Sequence, residues 1–135
     1  MNLSDEEIRI PEDPMNIETH HINAINEVAL LAYSNAFEKK FHDGDGWRSD
    51  VDNFSKWTAN LHGEVSELWE AARKGTLNKP CDKDCGLTCA EEELADIVIR
   101  AFDTATAFGI SIGDAIAKKH AYNQGREKMH GGKLA

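Results

Sequence analysis

Two acidic pairs, Glu64/Glu67 in GEVSEL and Glu93/Asp96 in EEELAD, are each spaced three residues apart inside a helical apolar pattern. A helix turns about 100° per residue, so the members of each pair become neighbours on one side of a rod. Left alone, such carboxylates repel one another, and a fold that brings the two rods together needs a cation between them. Hard divalent ions prefer carboxylate oxygen, which makes Mg²⁺ or Mn²⁺ the expected partner.

The rest of the chain reads as helices that would carry these pairs. Ile22, Ile25, Ala29, Ala32 and Ala36 keep three- and four-residue spacing and predict a helix from Ile17 to Phe41, ended by HDGDG at 42–46. Ser49 or Asp50 can cap a second helix running to Lys74, with Phe54, Trp57, Leu61, Val65, Leu68 and Ala72 as its apolar stripe and Gly75 as its stop. A loop from Thr76 to Thr88 precedes AEEELADIVIRAFDTATAF, whose Leu94, Ile97, Val98, Ala101, Ala105 and Phe108 are expected on its buried side. Gly109 breaks that helix, and Ser111 can cap a fourth reaching about His130. Residues 1–16, with Pro11 and Pro14 among acids, read as a flexible or loosely docked arm, and 17–135 as one domain. The predicted architecture is all-α, a bundle of four main helices. Ile99 and Phe102 lie off the third stripe and point to a second apolar contact, hence to self-association.

Charge and composition narrow the partners. With 15 Lys and Arg against 24 Asp and Glu, the net charge of −9 argues against general affinity for nucleic acid or anionic membrane. The N-terminal MNLSDEEIRIPEDP lacks the apolar core of a signal peptide, and no stretch approaches the ~18 apolar residues of a membrane span. Cytoplasmic location is the default expectation. Cys81, Cys85 and Cys89 share one loop, and an odd number cannot close a complete disulfide set. Reduced thiols on a variable surface loop are expected rather than a zinc site, which usually takes four ligands.

On the second helix Glu64 projects about 60° and Glu67 about 120° to one side of the apolar stripe, with Asn53 and Asn60 nearby. On the third, Glu93, Asp96, Arg100 and Asp103 lie away from Leu94 and Ala101, so this side should meet water or another polar surface. On the fourth, Lys119, Asn123 and Arg126 follow at steps of four and three, aligning an ammonium, an amide and a guanidinium along a ridge that can grip phosphate. The plainer alternative is a solvated face whose cations favour the helix dipole. HGGK, His130 to Lys133, can wrap N–H groups and an ammonium around an anion or simply fray. Trp47, in the glycine-containing loop, and Trp57 are candidate platforms for a base, although Trp57 also belongs to the apolar stripe; Asn60 can read a base or sugar edge, and Lys56 can touch phosphate or stay at the surface.

GEVSELWEAAR, EEELADIVIRAFD and KKHAYNQGREKMHGGK, in that order, resemble the all-α nucleoside triphosphate pyrophosphohydrolases of the MazG-like family across about residues 20–133. The family's ExxE and ExxD elements fall on Glu64, Glu67, Glu93 and Asp96. Its KxxxNxxR and HGGK elements fall on Lys119, Asn123 and Arg126, and on His130 to Lys133. The resemblance implies Mg²⁺-dependent hydrolysis of a (deoxy)nucleoside triphosphate to monophosphate and pyrophosphate, as in nucleotide-pool house-cleaning. It also implies a homo-oligomer, either a dimer or a tetramer built from two dimers. The cysteine-bearing loop departs from the family pattern.

On this expectation the four carboxylates hold metal, and Glu67 accepts a proton from the attacking water. Lys119 and Arg126 neutralise the leaving pyrophosphate, Asn123 orients it, and Lys133 closes over it. Two rival readings remain. A ferritin-like di-iron bundle would use Glu-x-x-His pairs such as Glu18/His21 and Glu127/His130, although these lie at helix margins rather than at a bundle centre. A non-catalytic helical interaction module would leave the acids solvated.

Overall fold

The computed structural model describes residues 15–45 and 50–126. Four helices follow in order, α1 (Thr19–Glu38), α2 (Val51–Arg73), α3 (Cys89–Phe108) and α4 (Ile112–Gln124), and no strand element occurs among the described residues. The fold class is therefore all-α. None of these helices is long and apolar enough to cross a membrane.

Local chemistry sets the helix starts. Asp50 caps α2 by accepting from the Asp52 N–H at 2.9 Å. At α3, Thr88 and Glu91 form a reciprocal capping box that satisfies two otherwise orphaned N–H groups. Glu18 and His21 do the same for α1, so this pair serves as a helix cap. Ser111 precedes α4 but makes no side-chain cap. Its role passes to Asn26 of α1, whose Oδ1 accepts from Gly113 N at 2.8 Å. A Cβ at Gly113 would lie 2.6 Å from Ile22 O, so only glycine lets the two backbones approach this closely. α1 stops at Glu38 rather than Phe41, and α4 stops at Gln124 rather than near His130, with Gly125 following. Gly109 ends α3 in the left-handed region at φ 85°, where a side chain would be strained.

α3 is central. Phe54 faces Phe108 with ring centroids 4.7 Å apart, Glu64 meets Arg100, and Glu67 meets Glu93, so α2 runs antiparallel to α3. Asn26, Ala29 and Leu30 line a cavity with Thr106, Gly109 and Ile110, while His42 reaches Asp103, so α1 is also antiparallel to α3. α4 packs against α1 in the opposite sense, with His120 and Gln124 donating to Met15 O. It therefore continues in the direction of α3 beyond that helix's C-terminal end. α2 and α4 do not pack against each other among the described residues.

The small side chains Ala29, Ala36, Ala105 and Ala107 are buried, as is Trp57. The apolar stripe expected on α3 is covered only in part: Ala105 is buried and Ile97, Ala101 and Phe108 are half-buried, but Leu94 is 52% exposed and Val98 48%, whereas Glu92 and Asp103 are 7% and 4% exposed. On α2, Val65 and Ala72 likewise face outward, although Trp57, Leu61 and Leu68 turn inward. Helical spacing separates the two faces of a rod without saying which of them the chain covers with itself.

Candidate functional site

The surface that the third helix was expected to offer to water or to polar groups meets polar groups, those of α2. Along α3, Glu92, Asp96, Arg100 and Asp103 recur at steps of four, four and three, and this stripe lies in the α2 interface. Arg100 anchors it, with Nη2 3.4 Å from Glu64 Oε1, Nη1 3.8 Å from Asp103 Oδ2, and its guanidinium 5.4 Å above the Phe41 ring. Below it, His42 contacts Asp45 Oδ2 through Nδ1 at 2.8 Å and Asp103 Oδ1 through Nε2 at 2.6 Å. Both are charge-assisted hydrogen bonds when the ring carries two protons. Burial works against the Asp45 carboxylate, but bonds from Lys56, His42 and Trp57 outweigh it and hold its pKa below the ordinary value.

Above Arg100, compensation runs out. Glu64, Glu67 and Glu93 each place a carboxylate oxygen within 4.8 Å of the others. Glu93 Oε2 is buried and has no hydrogen-bond partner. Burial, then the charges of Glu67 and Glu92, push the Glu93 carboxyl up to about 7. Burial and the Glu64 charge also raise Asp96, which lies beside Glu64 but outside the triad. Lys83, from the loop before α3, pairs with the buried Glu92, so among the described residues the cation bonded to the triad is Arg100 on Glu64, and Glu93 is left with acids beside it. An orphaned buried oxygen among three carboxylates suits a hard divalent ion, and the all-oxygen donor set suits Mg²⁺ or Mn²⁺.

The remaining sequence candidates lie elsewhere. Trp57 is 5% exposed, donates from Nε1 to Asp45 Oδ2 at 3.1 Å and meets Phe108 edge-on, so its ring is part of the core. Asn60 is exposed on α2. Lys56 is engaged by Asp45. Lys119 and Arg126 both lean over the Tyr122 ring, at 4.6 and 5.7 Å from its centroid, and Asn123 is exposed on the same helix. α3 rises about 22 Å between Glu93 and Phe108, and α4 starts beyond that end. Within one chain the basic ridge is thus not brought to the acids. Trp47, Glu127, His130 and Lys133 lie outside the described residues.

Sequence reasoning read FHDGDG only as a helix stop and missed His42 and Asp45 as partners of Asp103. The available signal was the polar stripe, since Asp103 lies seven residues after Asp96 and three after Arg100, in register with both. No family model, curated protein or solved structure matches the chain.

Proposed function

We propose that this chain is a divalent-metal-dependent hydrolase that converts nucleoside triphosphates to the monophosphate and pyrophosphate. The observation supporting it is the convergence of Glu64, Glu67 and Glu93 from two antiparallel helices, with Glu93 Oε2 buried and unpartnered. These three would hold Mg²⁺, with Asp96 as a fourth carboxylate beside Glu64. When bound, the ion supplies a bridge to triphosphate oxygens and acidifies water. Glu67, the exposed member of the triad, has the solvent access that an acceptor for the attacking water's proton requires. Arg100 fixes Glu64 from the core side and keeps its carboxylate aimed at the centre.

Lys119, Asn123 and Arg126 are assigned to the phosphates, and because α4 leads away from the centre, this reading takes them from a second copy of the chain. A homo-oligomer also accounts for exposed apolar side chains on α1 and α3, Val28, Leu31, Leu94 and Val98. Asn60, exposed on α2, is assigned to the base or sugar. The test is a panel of ribo- and deoxyribonucleoside triphosphates with Mg²⁺, products resolved by chromatography. Monophosphate with pyrophosphate is expected, with at least a 100-fold loss in Glu93→Gln and Glu67→Gln. Release of inorganic phosphate instead, or full activity in Glu93→Gln, would refute the reading.

A further inference from the structure

The loop between α2 and α3 carries chemistry that the carboxylate centre does not use. Backbone bonds fold it into a narrow reversal: Cys81 N donates to Leu87 O at 2.8 Å, Cys89 N to Lys79 O at 2.8 Å, and Pro80 bridges Thr88 in antiparallel fashion. Asp84 and Gly86 take positive φ at its tip, 51° and 78°, which turns the chain back on itself. The consequence is that Cys81 Sγ and Cys85 Sγ lie 2.7 Å apart. This is far closer than two unbonded sulfur atoms ordinarily approach, and about 0.65 Å beyond the length of a covalent S–S bond. Cys89 is directed elsewhere, with its Sγ 3.8 Å from Pro80 O. The three thiols do not gather as a metal site, since among the described residues only the Glu64, Glu67 and Glu93 group meets that description.

We infer that Cys81 and Cys85 form a reversible intrachain disulfide, a covalent modification site oxidised by a hydroperoxide and reduced by a dithiol. The Cys85 residue is exposed and Cys81 buried, so the oxidant meets Cys85 first. The Cys85 sulfur attacks the peroxide O–O bond and becomes a sulfenic acid, while its proton leaves with the departing alkoxide as an alcohol. Cys81 then attacks the Cys85 sulfur, the S–S bond forms, and hydroxide leaves with the Cys81 proton as water. Two thiols and one hydroperoxide give one disulfide, one alcohol and one water. In the dithiol, hydrogen bonds from the Cys85 side chain and from the N–H groups of Cys85 and Lys83 hold the Cys81 thiol below its usual pKa. The same contact with Cys81 raises that of Cys85, so accessibility rather than acidity makes Cys85 the first to react. Lys83 lies between the two cysteines and pairs with Glu92, so the bridge also fixes the segment that neutralises the start of α3.

The test uses the full chain, reduced and desalted, then treated with tert-butyl hydroperoxide, alkylated and weighed intact. Expected are a loss of two hydrogens and a fall in alkylated thiols from three to one. A peptide map should join Cys81 to Cys85, and dithiothreitol should restore all three thiols. Cys89→Ser should keep the bridge and Cys85→Ser, a change at an exposed position, should abolish it. The inference is overturned if three thiols stay reactive after oxidation, if the bridge involves Cys89 or a second chain, or if bound zinc protects the thiols without loss of mass.

Discussion

Replacing Glu93 by glutamine isolates the charge that the triad leaves uncompensated. The wild-type carboxyl titrates near 7 in the folded chain against an ordinary 4.5, because burial and the neighbouring Glu67 and Glu92 charges oppose ionisation. The native state therefore holds this proton more tightly than the unfolded state, and metal-free stability falls as pH rises from about 4.5 to 7. At 1.36 kcal/mol per unit the full loss is about 3 kcal/mol, and solvent reaching the centre past exposed Glu67 screens it to about 2. Glu93→Gln removes the ionisable group and keeps the shape, so without metal it should be about 2 kcal/mol more stable than wild type at pH 8 and indistinguishable at pH 4. Divalent metal should reverse the order at pH 8, since only wild type offers the third carboxylate. Urea unfolding at pH 4, 6 and 8, with and without Mg²⁺, measures both effects. Calorimetry at pH 6 should also show close to one proton released per metal bound, falling toward none at pH 8.5. An unchanged stability of Glu93→Gln at pH 8, together with metal uptake that releases no proton at pH 6, would falsify the account of an uncompensated carboxylate.

Three further outcomes follow from the packing. Gly113→Ala sets a methyl 2.6 Å from a backbone oxygen of α1 and should cost about 1–3 kcal/mol in thermal or urea unfolding; a neutral effect would mean that α4 is free to shift. Val98→Asp, at an exposed apolar position of α3, should reduce the molar mass measured by light scattering while far-ultraviolet circular dichroism stays helical; an unchanged mass would exclude that face from the contact between copies. Glu93→Gln and Arg126→Ala proteins, each inactive alone, should recover up to about a quarter of wild-type turnover when mixed and allowed to exchange subunits, because the proposed site draws on two copies. Two inactive proteins that stay inactive after verified exchange would confine both residues to the same chain's site.

Much of this was readable in the sequence because its causes are local. Asp50 and Thr88 can act as caps wherever they precede a helical pattern, Gly109 can end a helix because it tolerates positive φ, and three-residue spacing puts Glu64 beside Glu67 in any helix. Long-range choices were not readable in the same way. Leu94 and Asp96 are equally well placed to face inward on a helical wheel, and what favours the polar side is long-range pairing, Lys83 on Glu92, Arg100 on Glu64 and His42 on Asp103, with Leu94 left outside. His42 gave no periodic signal because it lies past the end of α1, and only the antiparallel pairing of α1 with α3 brings it to Asp103. Lys119 and Arg126 are near Glu93 in motif order yet remote in the fold, a difference that spacing along the chain does not encode.

The direction in which charge compensation fails along the α2–α3 seam argues for where a cation belongs. At the lower end Asp45 and Asp103 share His42, with Lys56 and Trp57 completing Asp45. In the middle Arg100 bridges Asp103 and Glu64. At the outer edge Lys83 holds Glu92. Every buried acid in that series has a cationic or donor partner, as buried charge requires. Glu93 breaks the series, for its buried Oε2 has no hydrogen-bond partner and the charges of Glu67 and Glu92 outweigh that of Lys83. A chain selected merely to keep α2 and α3 together gains nothing from that oxygen, since an apolar side chain of similar volume removes the penalty outright. Retaining a carboxylate there is consistent with a ligand that is itself positive. The outward faces of Leu94 and Val98 bear on the same point, because a second copy resting on them would press α3 toward α2 and hold Glu93 against Glu67 from behind. In the proposed homo-oligomer one helix would serve both the contact between copies and the proposed cation site, so Val98→Asp should weaken metal affinity as well as lower the molar mass.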